Sequence, residues 1–99
     1  MAIERLVGLY VSDDEMYQEY RNAMMPILKQ FGGGFGYDFK VAEVLKSEVD
    51  KPINRVFTIH FESEEKMDAF FSNSDYLSVK SSYFEPSVQA ATEIARYQR

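Results

Sequence analysis

The run Phe31-Gly32-Gly33-Gly34-Phe35-Gly36-Tyr37-Asp38-Phe39 lies between two hydrophobic periods. Before it, apolar residues recur every three or four positions; after it, they alternate. A helix must therefore stop, reverse and feed a strand within these nine residues. Gly32 to Gly34 allow the positive φ that a helix exit and tight reversal need. The alternation Phe35/Tyr37/Phe39 predicts one face of the strand that follows.

Upstream, Met16, Tyr20, Ala23, Met24, Ile27 and Phe31 form the helical stripe, with Tyr17 and Leu28 at its edge. Ser12 or Asp13 caps that helix, and the acids after it suit the positive end of its dipole. Pro26 interrupts the pattern and predicts a kink or a register change before the helix resumes to about Gln30. Ile3 to Val11 reads as a strand. Arg5, Val7, Leu9 and Val11 point one way and Leu6, Gly8 and Tyr10 the other, so both faces should be covered. Gly8 in mid-strand predicts close approach of another group.

Downstream, the second strand is expected over Gly34 to Leu45, with a bulge where the alternation shifts at Val41 to Leu45. Lys46 to Asn54 reads as a polar loop. Arg55 to Phe61 is a third strand, with Phe57, Ile59 and Phe61 on one side and Val56, Thr58 and His60 on the other. Ser63 opens a second helix carrying Met67, Phe70 and Phe71. Ser72 to Asp75 stops it and caps another, from about Asp75 to Tyr83, which Pro86 ends. A fourth strand is expected at Thr92 to Tyr97.

Ninety-nine residues suffice for one domain, 1–99. A net charge of −5 without a basic cluster argues against nucleic acid and anionic membranes as partners. With no cysteine there is no disulfide and no thiolate. The N-terminal residues do not read as a signal peptide, and no run approaches membrane-spanning length; a cytoplasmic protein is expected.

The order β-α-β-β-α-β is that of the α+β, ferredoxin-like arrangement: a four-stranded antiparallel sheet with helices on one face. The first and third strands are expected side by side and parallel at its centre. The face away from the helices carries Leu6, Tyr10, Val56, Thr58 and His60, too apolar for water, so a homodimer closing over it is expected.

Gly32-Gly33-Gly34-Phe35, Pro52 to Ile59, Met67 to Phe71 and Ser74-Asp75-Tyr76, together with Tyr17, Tyr20 and Pro26, resemble the bacterial domain-of-unknown-function family 1330. The resemblance covers nearly the whole chain. It implies a dimeric α/β barrel formed by pairing sheets, with a pocket in each subunit between helices and sheet. Other members of that superfamily include cofactor-free monooxygenases, isomerases and haem-dependent enzymes.

His60 is the only histidine; with Tyr10 and Asp38 it is a candidate proton-transfer group, since imidazole titrates near neutral pH and a carboxylate can orient it. The alternative is a hydrogen-bonded histidine in an interface. The helix-side pocket is expected to be lined by Tyr20, Met24, Phe57, Phe70, Tyr76 and Tyr37, with Arg55 and Arg21 either holding a carboxylate or phenolate or, as the plainer reading, serving in exposed ion pairs. Tyr20, Tyr37, Tyr76 and Arg55 are thus the candidate binding residues for a small aromatic or carbonyl compound. The same stripe could equally be plain core of a non-catalytic homodimeric module. The glycines follow a helix and precede a strand, the reverse of a phosphate-cradling loop. One histidine and scattered carboxylates favour neither a metal nor a haem, so no cofactor is expected.

Overall fold

The structure is a computed structural model describing residues Met1–Arg99. Its elements run β1 (Ile3–Val11), α1 (Asp14–Gln30), β2 (Gly34–Lys40), β3 (Arg55–Phe61), α2 (Glu64–Ser72), α3 (Ser74–Val79), a π turn (Lys80–Phe84), α4 (Glu85–Ser87) and β4 (Val88–Gln98). The strands form one sheet in the order β2-β3-β1-β4. All helices lie on one face, in a body 34 × 30 × 18 Å. The thinnest dimension is that of one sheet plus one helical layer.

Two expectations are corrected here. The sheet does not close into a barrel: β2 and β4 are edges that never meet. In addition, β1 and β3 are antiparallel, with Ile3 opposite Phe61 and Leu9 opposite Arg55. The geometry requires this. A right-handed crossover makes β1 and β2 parallel, and β3, entering between them from a hairpin-like connection, must oppose both.

Helix starts match the sequence. Asp13 accepts from the Met16 amide at 3.1 Å, Ser63 from Lys66 at 3.2 Å and Asn73 from Tyr76 at 3.0 Å. Helix α1 runs unbroken through Pro26, which sits on its solvent side. Its buried face is Tyr17, Tyr20, Arg21, Met24 and Leu28. Tyr17 and Leu28, expected at the stripe's edge, are its fully buried centre. At the exit Gly32 takes φ +70°, the one positive φ in the chain. A side chain at Gly33 would collide with Leu28 and Phe61.

Strand β2 is shorter than expected, and its irregularity lies between Phe35 and Asp38 rather than beyond Val41. Phe35 consequently packs edge-on against Phe57 on the helix side, their centroids 5.4 Å apart. Tyr37 and Phe39 stack on each other at 5.9 Å on the opposite face. The expected single aromatic face is thereby split. A bulge inserts one residue and switches every later side chain across the sheet. Thr58 Oγ1 holds the bulge by accepting from the Tyr37 amide at 2.8 Å.

After α3 the chain widens into the π turn, and Pro86 sits inside α4 instead of ending the preceding helix. Strand β4 begins at Val88, four residues earlier than expected, and pairs along β1 with two register shifts. The 41–54 segment returns over the open sheet face. Ile53 and Ile94 occupy the space over Gly8, where a side chain's first carbon would lie 3.1 and 3.3 Å from them. The chain thus covers part of that face itself. Asn54 anchors the return, accepting from the Val11 amide and donating to the Val11 carbonyl, both at 2.8 Å.

Candidate functional site

Alternation in the central strands aims Arg5, Val7 and Leu9 of β1 and Phe57 and Ile59 of β3 at the helices. Between them and the helical layer lies a cavity of about 210 Å³. Helix α1 supplies Tyr17, Tyr20, Arg21 and Met24; Phe35, Phe71 and Ala91 close its sides. Tyr76, Lys80 and Phe84 complete the wall at four-residue spacing. On an α-helix of about 3.6 residues per turn such a series drifts around the axis. The wider π turn at Lys80–Phe84 takes up that drift, so Phe84 returns to the cavity, 5.0 Å from the Tyr20 ring.

Two polar groupings are set into this apolar wall. The hydroxyls of Tyr20 and Tyr76 lie 2.9 Å apart in a buried pair. Burial, and then the neighbouring phenol, push Tyr20 far above the ordinary tyrosine value, and burial also raises Tyr76. Both are therefore neutral hydroxyls across the working pH range, able to give and accept hydrogen bonds but not to act as phenolates.

The second grouping is Arg21, Asp38, Arg55 and Tyr17. The bulge in β2 turns Asp38 to the helix side. There it accepts from Arg55 Nε at 2.9 Å and Nη2 at 3.0 Å, and from Arg21 Nη1 at 3.1 Å and Nη2 at 3.3 Å. Arg21 also donates from Nε to the Tyr17 hydroxyl at 2.8 Å. Its guanidinium lies 3.9 Å from the Phe35 ring centroid and 4.9 Å from that of Phe57, distances at which a cation is held by the ring face. Partial burial alone would raise the Asp38 carboxyl, but the hydrogen bonds and charges of Arg55 and Arg21 outweigh it and hold the group below its usual range. Burial raises Tyr17 against the opposing pull of Arg21.

The structure does not unite His60, Tyr10 and Asp38. Because β1 and β3 are antiparallel, His60 sits opposite Glu4, while Tyr10 is at the far end of β1 opposite Ala90 of β4. Both face away from the helices, whereas Asp38 lies on the helix side within its arginine pair. Partial burial and then Arg99 lower the His60 pKa, so the ring is neutral near pH 7. Of the expected binding residues, Tyr20 and Tyr76 line the cavity and Arg55 stands behind it, over the Tyr17 ring. Tyr37 is 66% exposed on the opposite face, and Phe70 is fully buried beneath the wall.

Arg5, Lys80 and Phe84 were not legible as site residues. Arg5 looked like one charge in a strand, and the positions of Lys80 and Phe84 depend on a π turn that no local pattern announces. No three His, Cys, Asp or Glu side chains converge to hold a metal ion. The only histidine lies outside the cavity, which removes the side chain most suited to a haem there.

No curated protein matches the sequence. Among solved structures, a protein of unknown function from Rhodopseudomonas palustris is similar at 16% identity and TM-score 0.84, over 99% of this chain and 82% of that one. A dabb family protein with a ferredoxin-like fold from Mesorhizobium loti has 16% identity and TM-score 0.68, over 99% and 96%. A dimeric ferredoxin-like protein of unknown function from Thermobifida fusca has 10% identity and TM-score 0.61, over 100% and 92%. Identities this low establish a shared fold and nothing finer. A family model described as a domain of unknown function, DUF1330, matches residues 6–97.

Proposed function

Starting from the fact that this chain belongs to the DUF1330 family, we propose that it binds a small single-ring compound between its helices and its sheet. The observation that carries this reading is the cavity of about 210 Å³, partly open to solvent, between the helices and the sheet of a molecule with a contiguous hydrophobic core. Protein interiors leave few voids larger than a water molecule. An enclosed apolar void of about 150 Å³ accepts benzene, and drug-sized pockets begin near roughly 300 Å³. The space here lies between those sizes. Tyr20 and Tyr76 supply hydroxyls that can orient a carbonyl or hydroxyl substituent.

The wall contains only tyrosines, arginines, a lysine and apolar side chains. It holds no histidine and no carboxylate, and binding and orientation is the chemistry these residues support best. Benzamide followed by NMR chemical shifts tests this. Saturable shifts centred on Leu9, Met24 and Tyr76 are expected, together with their loss in Ala91→Phe, which plugs the space from edge strand β4. Absence of saturable binding by both benzamide and its charged counterpart benzoate, or binding unaffected by that plug, overturns the proposal.

A second reading, a homodimeric module, is favoured by the open sheet face. Tyr37 and Phe39 stack there while 66% and 55% exposed, beside half-buried Leu6 and Val56. We infer that two copies associate through this surface, which is compatible with ligand binding on the other side of the sheet.

A further inference from the structure

We propose that the compound held in the cavity is an anion, a single-ring carboxylate or phenolate whose charged group is received by Lys80 and Arg5. This inference rests on reading the cavity as a ligand site and adds the sign of the ligand's charge. The whole chain carries −5, so its overall field disfavours anions. The cavity wall is the reverse: Arg5, Arg21 and Lys80 line it, and no aspartate or glutamate does.

The nearby carboxylates do not cancel these cations. Asp38 is shared between Arg21 and Arg55. Glu93 is shared between Arg5 and Arg96. Lys80 is half-buried and has no ion pair. Three cations on the wall thus face two carboxylates, each of which is shared with an arginine outside it. Asp14, Glu64 and Asp68 act on the outer arginines only from further away, and none reaches the wall.

A half-buried cation without a partner can receive a bound anion, and the apolar wall beside it strengthens that attraction. Lys80 is the side chain free to do so at no cost to an existing pair. The π turn keeps it in line with Tyr76 and Phe84. The Arg5 guanidinium lies 5.2 Å from the Phe71 ring centroid, held beside the wall with its Nε and Nη2 turned to Glu93. Its remaining N–H donors are open to a second acceptor. An aromatic ring would then rest among Tyr20, Phe57 and Phe84, and its anionic substituent would reach Lys80 and Arg5.

Benzoate and benzamide share a ring and a planar substituent but differ in charge, so comparing them at pH 7 isolates the claim. Benzoate is expected to bind about tenfold more tightly than benzamide, the scale of one charge-assisted hydrogen bond. Lys80→Gln should remove most of that difference by weakening benzoate alone, with the melting temperature unchanged because Lys80 holds no partner in the free protein. Arg5→Gln should weaken benzoate in the same direction. If benzamide binds and benzoate binds no better, the anion proposal falls and the cavity reading stands. If neither binds, both fall. A benzoate preference that survives both substitutions overturns the assignment to Lys80 and Arg5.

Discussion

Replacing Tyr76 by phenylalanine removes one oxygen and leaves the Tyr20 hydroxyl without its partner 2.9 Å away. Tyr20 and Tyr76 are 5% and 3% exposed, so the orphaned group meets water only through the cavity that the two residues line. A buried polar group left unpaired costs about 1–3 kcal/mol, whereas replacing both partners by apolar groups of the same shape is close to neutral. The single variants Tyr20→Phe and Tyr76→Phe should therefore each lose about 1–3 kcal/mol, and the double variant no more than either single. For a chain of this length about 1 kcal/mol moves the midpoint by roughly 4–8 °C, so each single change should lower it by roughly 5–20 °C. Thermal and urea unfolding followed by far-ultraviolet circular dichroism measures the cycle, and the coupling energy should be about 1 kcal/mol or more. Strict additivity, with each single change below about 0.5 kcal/mol, would refute the reasoning. It would mean that water in the cavity already satisfies both hydroxyls.

Asp38→Asn should destabilise the chain by about 1–3 kcal/mol, because Arg21 is buried and loses its carboxylate; the 31% exposure of the Asp38 side chain keeps the loss below that of a fully buried pair. The same carboxyl sets an acid limit. Its folded pKa is depressed, so its contribution is complete above the unfolded value near about 3.9 and is lost as pH falls through the folded one. Unfolding measured from pH 6 down to pH 2 should show this loss in the parent and a flatter profile in Asp38→Asn; identical profiles would count against the role given to the pair. For the open face, light scattering should show a dimer that Tyr37→Lys with Phe39→Lys converts to a folded monomer, and an unchanged mass would exclude that surface as the contact.

The candidate site divides between what sequence periodicity reveals and what it conceals. Tyr20, Met24, Phe57 and Tyr76 were legible because each lies on a regular face, and a regular face can be counted from the chain. Tyr37 was misplaced for one reason: a bulge at Gly36–Tyr37 shifts the count by one residue and exchanges the two faces. That same shift brings Asp38 to the arginines. The Tyr10–His60 pairing failed at a different level, since strand direction is a property of topology and leaves no mark in either strand's own alternation.

From its sequence alone this chain determines the order of its strands and of its first three helices, their caps, the glycine exit of its long helix and the inward faces of its two central strands. These rest on local physics: backbone sterics, capping hydrogen bonds and the periods of helix and strand. Only the tertiary structure decides that the central strands oppose each other, that the sheet stays open, that Asp38 joins Arg21 and Arg55, and that Lys80 reaches the cavity. Each of these depends on residues far apart in the chain settling a shared register. A bulge or a π turn changes such a register by a single residue, a change that neighbours in sequence do not encode.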